Sequence, residues 1–135
     1  MTYIPRNAES RLKHFANGYP VLVVTGPRQS GKSTLVRHAF PEHYYISLED
    51  LDQREFAETD PRGFLNQFSG GAILDEAQRC PALFSYLQTR VDERQQPGEF
   101  ILTGSQQFGL LSGITQSLAG RAALMTLLPM TYGEL

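Results

Sequence analysis

Apolar residues fall along this chain in two rhythms. Short unbroken runs, Val21-Leu22-Val23-Val24, Ala72-Ile73-Leu74 and Phe100-Ile101-Leu102, read as strands buried on both faces. Tyr44 to Leu48 and Ala122 to Leu128 read as two more strands. Between them the spacing turns helical. Asn7 is placed to cap a first helix with Leu12, Phe15 and Ala16 on one face, stopping near Gly18. A second helix runs from Ser33 to about Phe40, where Pro41 closes it. Leu51 to Glu58 is a charged helical stretch, and Asp50 before it suits a cap. Pro61 opens a helix with Phe64, Leu65 and Phe68 as its apolar face. Pro81 starts another, with Leu83, Phe84, Leu87 and Val91 in register, and Pro129 opens a last one. Strands alternating with helices predict an α/β fold, a three-layer α/β/α sandwich on a five-stranded, mainly parallel sheet. Right-handed crossovers then carry every strand's C-terminal end to one edge.

Composition narrows the class. At 135 residues with 41% apolar content, the chain makes one domain with a real core. Twelve basic against fourteen acidic residues give a net charge of −2, which lacks the footprint of a general nucleic-acid binder. A single cysteine, Cys80, forbids an internal disulfide and suits a reducing compartment; its surroundings read as those of an inert thiol. Met1 to Arg11 has no signal-peptide apolar region, and no run reaches the ~20 apolar residues of a membrane span. The chain therefore reads as soluble and cytoplasmic. Its three histidines show no ligand spacing, so no zinc site is predicted.

The first strand feeds into Gly26-Pro27-Arg28-Gln29-Ser30-Gly31-Lys32-Ser33, a complete Walker A loop in its required strand-to-helix context. Consecutive backbone N–H groups in such a loop form an anion nest, and the following helix turns its positive end to the same point. Lys32 is expected on the β- and γ-phosphates, Ser33 on Mg²⁺, and Thr34 among the phosphate-binding residues. Arg28 reads as an exposed loop arginine in preference to a γ-phosphate contact. Ile73-Leu74-Asp75-Glu76 supplies a Walker B pattern. Asp75 at the strand tip is placed to hold Mg²⁺, and Glu76 to polarise an attacking water; the competing reading of Glu76 is a solvated turn residue. The Asp-Glu pair favours γ-phosphate hydrolysis over transfer to a small acceptor. Ser105 follows the fourth strand; if that strand lies between the two Walker strands, Ser105 faces the γ-phosphate, with Thr103 and Gln106 as competitors. Arg121 has a guanidinium suited to developing γ-phosphate charge, or is a surface or helix-end partner. Gln78 and Arg79 are placed to orient Glu76 or to touch a neighbouring subunit.

With these residues assembled, the chain resembles the AAA-type P-loop ATPase domain of a widespread bacterial and archaeal family, AAA family fourteen. The resemblance rests on the Walker A loop, Leu74-Asp75-Glu76-Ala77-Gln78-Arg79-Cys80-Pro81, Leu102-Thr103-Gly104-Ser105-Gln106 and Leu118-Ala119-Gly120-Arg121. It implies ATP with Mg²⁺, hydrolysis assisted by Glu76, Ser105 as sensor 1, and Arg121 as a finger acting on a neighbouring subunit of a homo-oligomer. The family domain usually precedes a C-terminal domain of unknown function. Here residues 1–135 read as the ATP-binding domain alone, truncated within Pro129–Leu135 and without lid or effector region. Two other readings stand beside the ATPase: a nucleotide-sensing module with little turnover alone, and a small-molecule kinase. The second is disfavoured because Arg121 is the one basic residue between the fourth and fifth strands. GTP is disfavoured by the lack of an N-K-x-D sequence.

Overall fold

The computed structural model of the protein describes residues 6–26, 31–104 and 118–126. Helix α1 (Arg6–Gly18) leads to strand β1 (Val21–Thr25), and α2 (Lys32–Ala39) to β2 (Tyr44–Ser47). Helices α3 (Leu51–Thr59) and α4 (Pro61–Asn66) precede β3 (Ala72–Asp75). A single 3₁₀ turn (Ala77–Arg79) and α5 (Leu83–Arg94) come before β4 (Phe100–Gly104) and β5 (Ala122–Thr126). Each strand and helix predicted over the described residues is present within a residue or two at its ends; Leu127 onward, including the Pro129 helix, lies outside them. Pro81 stands two residues ahead of α5 rather than inside it.

The five strands form one sheet in the order β2-β3-β4-β1-β5, and all four pairings are parallel. Strand β4 thus separates the strands that carry the two Walker motifs. Register and alternation sort the side chains into two layers. Leu22, Val24, Ile73, Ile101, Ala123 and Met125 face α1 and α2 together with Leu12, Leu35 and Val36. Val21, Val23, Leu74, Phe100 and Leu102 face Phe64, Phe68, Phe84, Leu87 and Val91 from the other helices. Burial on both faces is why these strands read as continuous apolar runs.

The helix starts explain themselves locally. The Asp50 carboxylate accepts from the backbone N–H groups of Asp52 and Gln53, and Asp60 accepts from that of Gly63 ahead of Pro61. Gly31 sits at φ 81°, a left-handed conformation open to glycine, and its carbonyl accepts the first bond of α2 from Leu35 at 2.9 Å. Gly31 thus starts α2, whose first residues, Lys32 and Ser33, reach Glu76 and Asp75 at the sheet's C-terminal edge.

Candidate functional site at the C-terminal edge of the sheet

Asp75 ends β3 and lies between two neighbours. Register sets Leu102 beside Leu74, so Thr103 of β4 follows next to Asp75, and its hydroxyl donates to Asp75 Oδ1. Tyr45 pairs with Ile73, two residues back along β2, and its longer side chain reaches forward to donate its hydroxyl to Asp75 Oδ2. Ser33, in the first turn of α2, donates from Oγ to the same oxygen at 2.8 Å. Asp75 is 7% exposed and Thr103 fully buried. A buried carboxylate costs free energy unless its oxygens are satisfied, and here neutral hydroxyls satisfy them. Burial, and then the bond to Asp75, push the Tyr45 hydroxyl well above its ordinary value, so it stays a donor.

Glu76, the next residue, leaves the strand at φ 57°, ψ 48°. A non-glycine residue in this left-handed region is uncommon, and the tight turn into Ala77–Arg79 requires it. Its carboxylate is engaged from both sides. Lys32 Nζ stands 3.9 Å from Oε2, and Gln78 Nε2 donates to Oε1 at 2.8 Å. Lys32 is 3% exposed despite its charge, and Glu76 is 7% exposed. The loop's entry is fixed as well: the Gly26 N–H donates to the Gly104 carbonyl at 3.2 Å, joining the ends of β1 and β4. Thr34 is exposed and borders an open cavity of about 470 Å³ with Arg37, His38, His43 and Tyr45.

Of the residues singled out from the sequence, Gly26, Gly31, Lys32, Ser33, Asp75 and Glu76 meet at this edge, whereas Thr34 faces the cavity between α2 and β2. Thr103, weighed against Ser105, is here too. Gln78 touches Glu76, whereas Arg79 turns aside to Glu49 at 3.6 Å. Pro27, Arg28, Gln29, Ser30, Ser105 and Gln106 lie outside the described residues. Arg121 is not brought to the Walker groups of its own chain. It precedes β5, so it lies at the N-terminal edge, where its carbonyl accepts from the Val21 N–H. A five-residue strand, about 16 Å long, separates the two edges. There Arg121 forms a two-point pair with Asp92 in the last turn of α5, at 2.7 and 2.9 Å. This pair holds the Asp92 carboxyl below its ordinary range. Cys80 is buried, and burial raises its thiol, the setting of an inert cysteine. Tyr45 went unnoticed in the sequence. Tyr44-Tyr45 there signals only a strand, and its use depends on which neighbour β2 pairs with.

The oxygen groups of Ser33 and Asp75 suit a hard cation such as Mg²⁺, which binds through one or two carboxylates and keeps most of its waters. Among the described residues, no three His, Cys, Asp or Glu side chains gather as a protein-built metal cage would require. No helix among them is long and apolar enough to cross a membrane.

A parallel sheet with a strand inserted between its two Walker strands, and the Walker groups meeting at its C-terminal edge, defines a P-loop NTPase. The chain belongs to the AAA domain family, whose sequence profile matches residues 18–135, and is thereby an ATPase-like, nucleotide-binding domain. It is 38% identical over 132 residues to an uncharacterized protein of Mycobacterium tuberculosis and to one of Mycobacterium bovis. The match covers 96% of this chain and 30% of each of those proteins, so the chain spans under a third of their length. Among solved structures it is similar in fold to a Walker-type ATPase of Pyrococcus abyssi. That likeness has a TM-score of 0.60 at 20% identity, covering 97% of this chain and 55% of the other. A DNA replication initiation factor is similar at TM-score 0.58 and 17% identity, over 90% of this chain and 44% of that one.

Proposed function

We propose that this domain binds ATP with Mg²⁺ and hydrolyses the γ-phosphate, and that the cycle switches a partner or a further region of a longer protein. The observation that carries this reading is the 2.8 Å bond from Ser33 to Asp75, with Lys32 and Glu76 adjoining it. It joins the start of the loop helix to the tip of β3, which supports reading the two as one corner for phosphate and metal.

In this reading the backbone N–H groups of residues 26–33 cradle the phosphates, and Lys32 leaves Glu76 for the β- and γ-phosphate oxygens. Ser33 and Asp75 would hold Mg²⁺, which when bound supplies charge neutralisation on the phosphates. Glu76 accepts the proton of the attacking water at a carboxylate oxygen, a role commonly worth on the order of 10²–10⁴-fold in rate. Ser105 is retained as the sensor on the γ-phosphate. Arg121 enters only as a group acting on a neighbouring copy, which requires its pair with Asp92 to open.

A second reading, a nucleotide sensor with little turnover alone, draws on the engagement of both Glu76 oxygens by Lys32 and Gln78. Titration of a fluorescent ATP analogue into the Lys32→Ala protein tests what the two readings share. Affinity is expected to fall at least ~100-fold, the loss of charge-assisted bonds to phosphate. Unchanged affinity would remove this edge as the nucleotide site.

A further inference from the structure

Tyr45 makes a contact that the phosphate loop and the Walker B acids leave unexplained. Strand β2 is an edge strand, and Tyr45 is partly buried on the face that also carries Asp75. Its ring lies under the Arg37 guanidinium, 4.3 Å from the centroid, so α2 fixes the ring from above. Its hydroxyl ends on Asp75 Oδ2, the oxygen that also receives Ser33. Thr103 holds Oδ1 from the opposite side. The carboxylate is thus pinned from both flanking strands and from α2. Thr103 does so from the adjacent position. Tyr45 does so from two residues back, a gap that a serine or threonine at the same position could not span.

We infer that Tyr45 is a positioning residue for the metal-binding carboxylate of Asp75. The inference rests on the reading of Ser33 and Asp75 as the Mg²⁺ site. A carboxylate that binds a cation through ordered water must present its lone pairs in one orientation. A hydroxyl donated to one oxygen sets that rotation before the cation arrives. Tyr45 also links the outer edge of the sheet to the site, because its ring packs against Arg37 of α2 while its hydroxyl reaches Asp75. Partners of this kind, lying behind a ligand, typically change metal affinity by about 10–100-fold when removed.

Tyr45→Phe keeps the ring, its packing and the Arg37 stack while deleting the hydroxyl. A fluorescent non-hydrolysable ATP analogue, titrated with Mg²⁺ and separately in EDTA, reads the effect. The Mg²⁺ concentration for half-maximal enhancement of binding is expected to rise about tenfold, with affinity in EDTA within about twofold of wild type. An unchanged Mg²⁺ midpoint in a variant that melts with wild type overturns the positioning role and leaves the nucleotide site standing. An equal loss with and without Mg²⁺ also overturns it, since that marks a purely structural tyrosine. If wild type itself shows no Mg²⁺-dependent binding, the metal-site reading fails, and the role of Tyr45 with it. Arg37→Gln supplies a second measure: it keeps the hydroxyl, so its shift is expected to be smaller than that of Tyr45→Phe.

Discussion

Two buried carboxylates, Asp75 and Glu99, sit at opposite edges of one sheet and are solvated in opposite ways. Asp75 ends β3 and is met by the neutral hydroxyls of Ser33, Tyr45 and Thr103. Glu99 precedes β4, is 3% exposed, and its Oε2 is met by two arginines, Arg90 at 3.3 Å and Arg94 at 2.9 Å. Arg90 also reaches the Asn66 side chain and the Phe68 carbonyl, and Arg94 the Ser69 carbonyl. Glu99 therefore belongs to a staple that ties α5 to the loop before β3, with its charge already neutralised. Hydroxyls stabilise a carboxylate without cancelling its charge, so the charge of Asp75 remains open to a cation. The protein's two edges divide along this line: a carboxylate paired with two arginines at one, and at the other a carboxylate held by hydroxyls next to the Lys32–Glu76 pair.

Neutralising each carboxylate in turn sharpens the contrast. Asp75→Asn is expected to lose at least ~10-fold of the Mg²⁺ enhancement of nucleotide binding while its melting temperature holds or rises. Glu99→Gln is expected to do the reverse. Leaving two arginines without their carboxylate costs on the order of 2–3 kcal/mol, below the full value for a buried pair because Arg94 is a third exposed. That corresponds to a fall of roughly 6–10 °C in thermal unfolding. Nucleotide binding by the folded Glu99→Gln protein should match wild type. A Glu99→Gln protein that melts like wild type but binds nucleotide poorly would dissolve the distinction.

The smallest effect belongs to Arg121, whose pair with Asp92 is solvent-facing. Arg121→Ala is expected to leave the melting temperature nearly unchanged and binding of ATP by dilute protein untouched. If Arg121 serves a neighbouring copy, specific phosphate release by wild type should rise with protein concentration and that of Arg121→Ala should not. Equal concentration dependence in both would exclude the trans role.

Much of this was legible because the chemistry is local. The loop needs a strand, a glycine and a helix start in immediate succession, and residues 21–39 carry all three. The position of Asp75 was readable because an acid ending an apolar run on a parallel sheet must sit at the same edge as the loop. The same logic, applied to Arg121, puts a residue preceding a parallel strand at the far edge. Its promise as a phosphate partner came from its guanidinium chemistry, and its trans role from resemblance, rather than from its place on the sheet. Tyr45 and the left-handed Glu76 were illegible for another reason. One depends on strand order and register. The other depends on a turn whose conformation a glutamate does not advertise. Gln78 fell between: proximity in sequence suggested a contact with Glu76, and the turn supplies it at 2.8 Å.

The central claim is that this edge hydrolyses ATP with Glu76 as the base. Single-turnover phosphate release by Glu76→Gln, with ATP affinity measured on the same preparation, tests it most directly. The account predicts affinity within about threefold of wild type and release at least ~100-fold slower, the size of a lost general base. Release at the wild-type rate by a Glu76→Gln protein that binds ATP normally would contradict it.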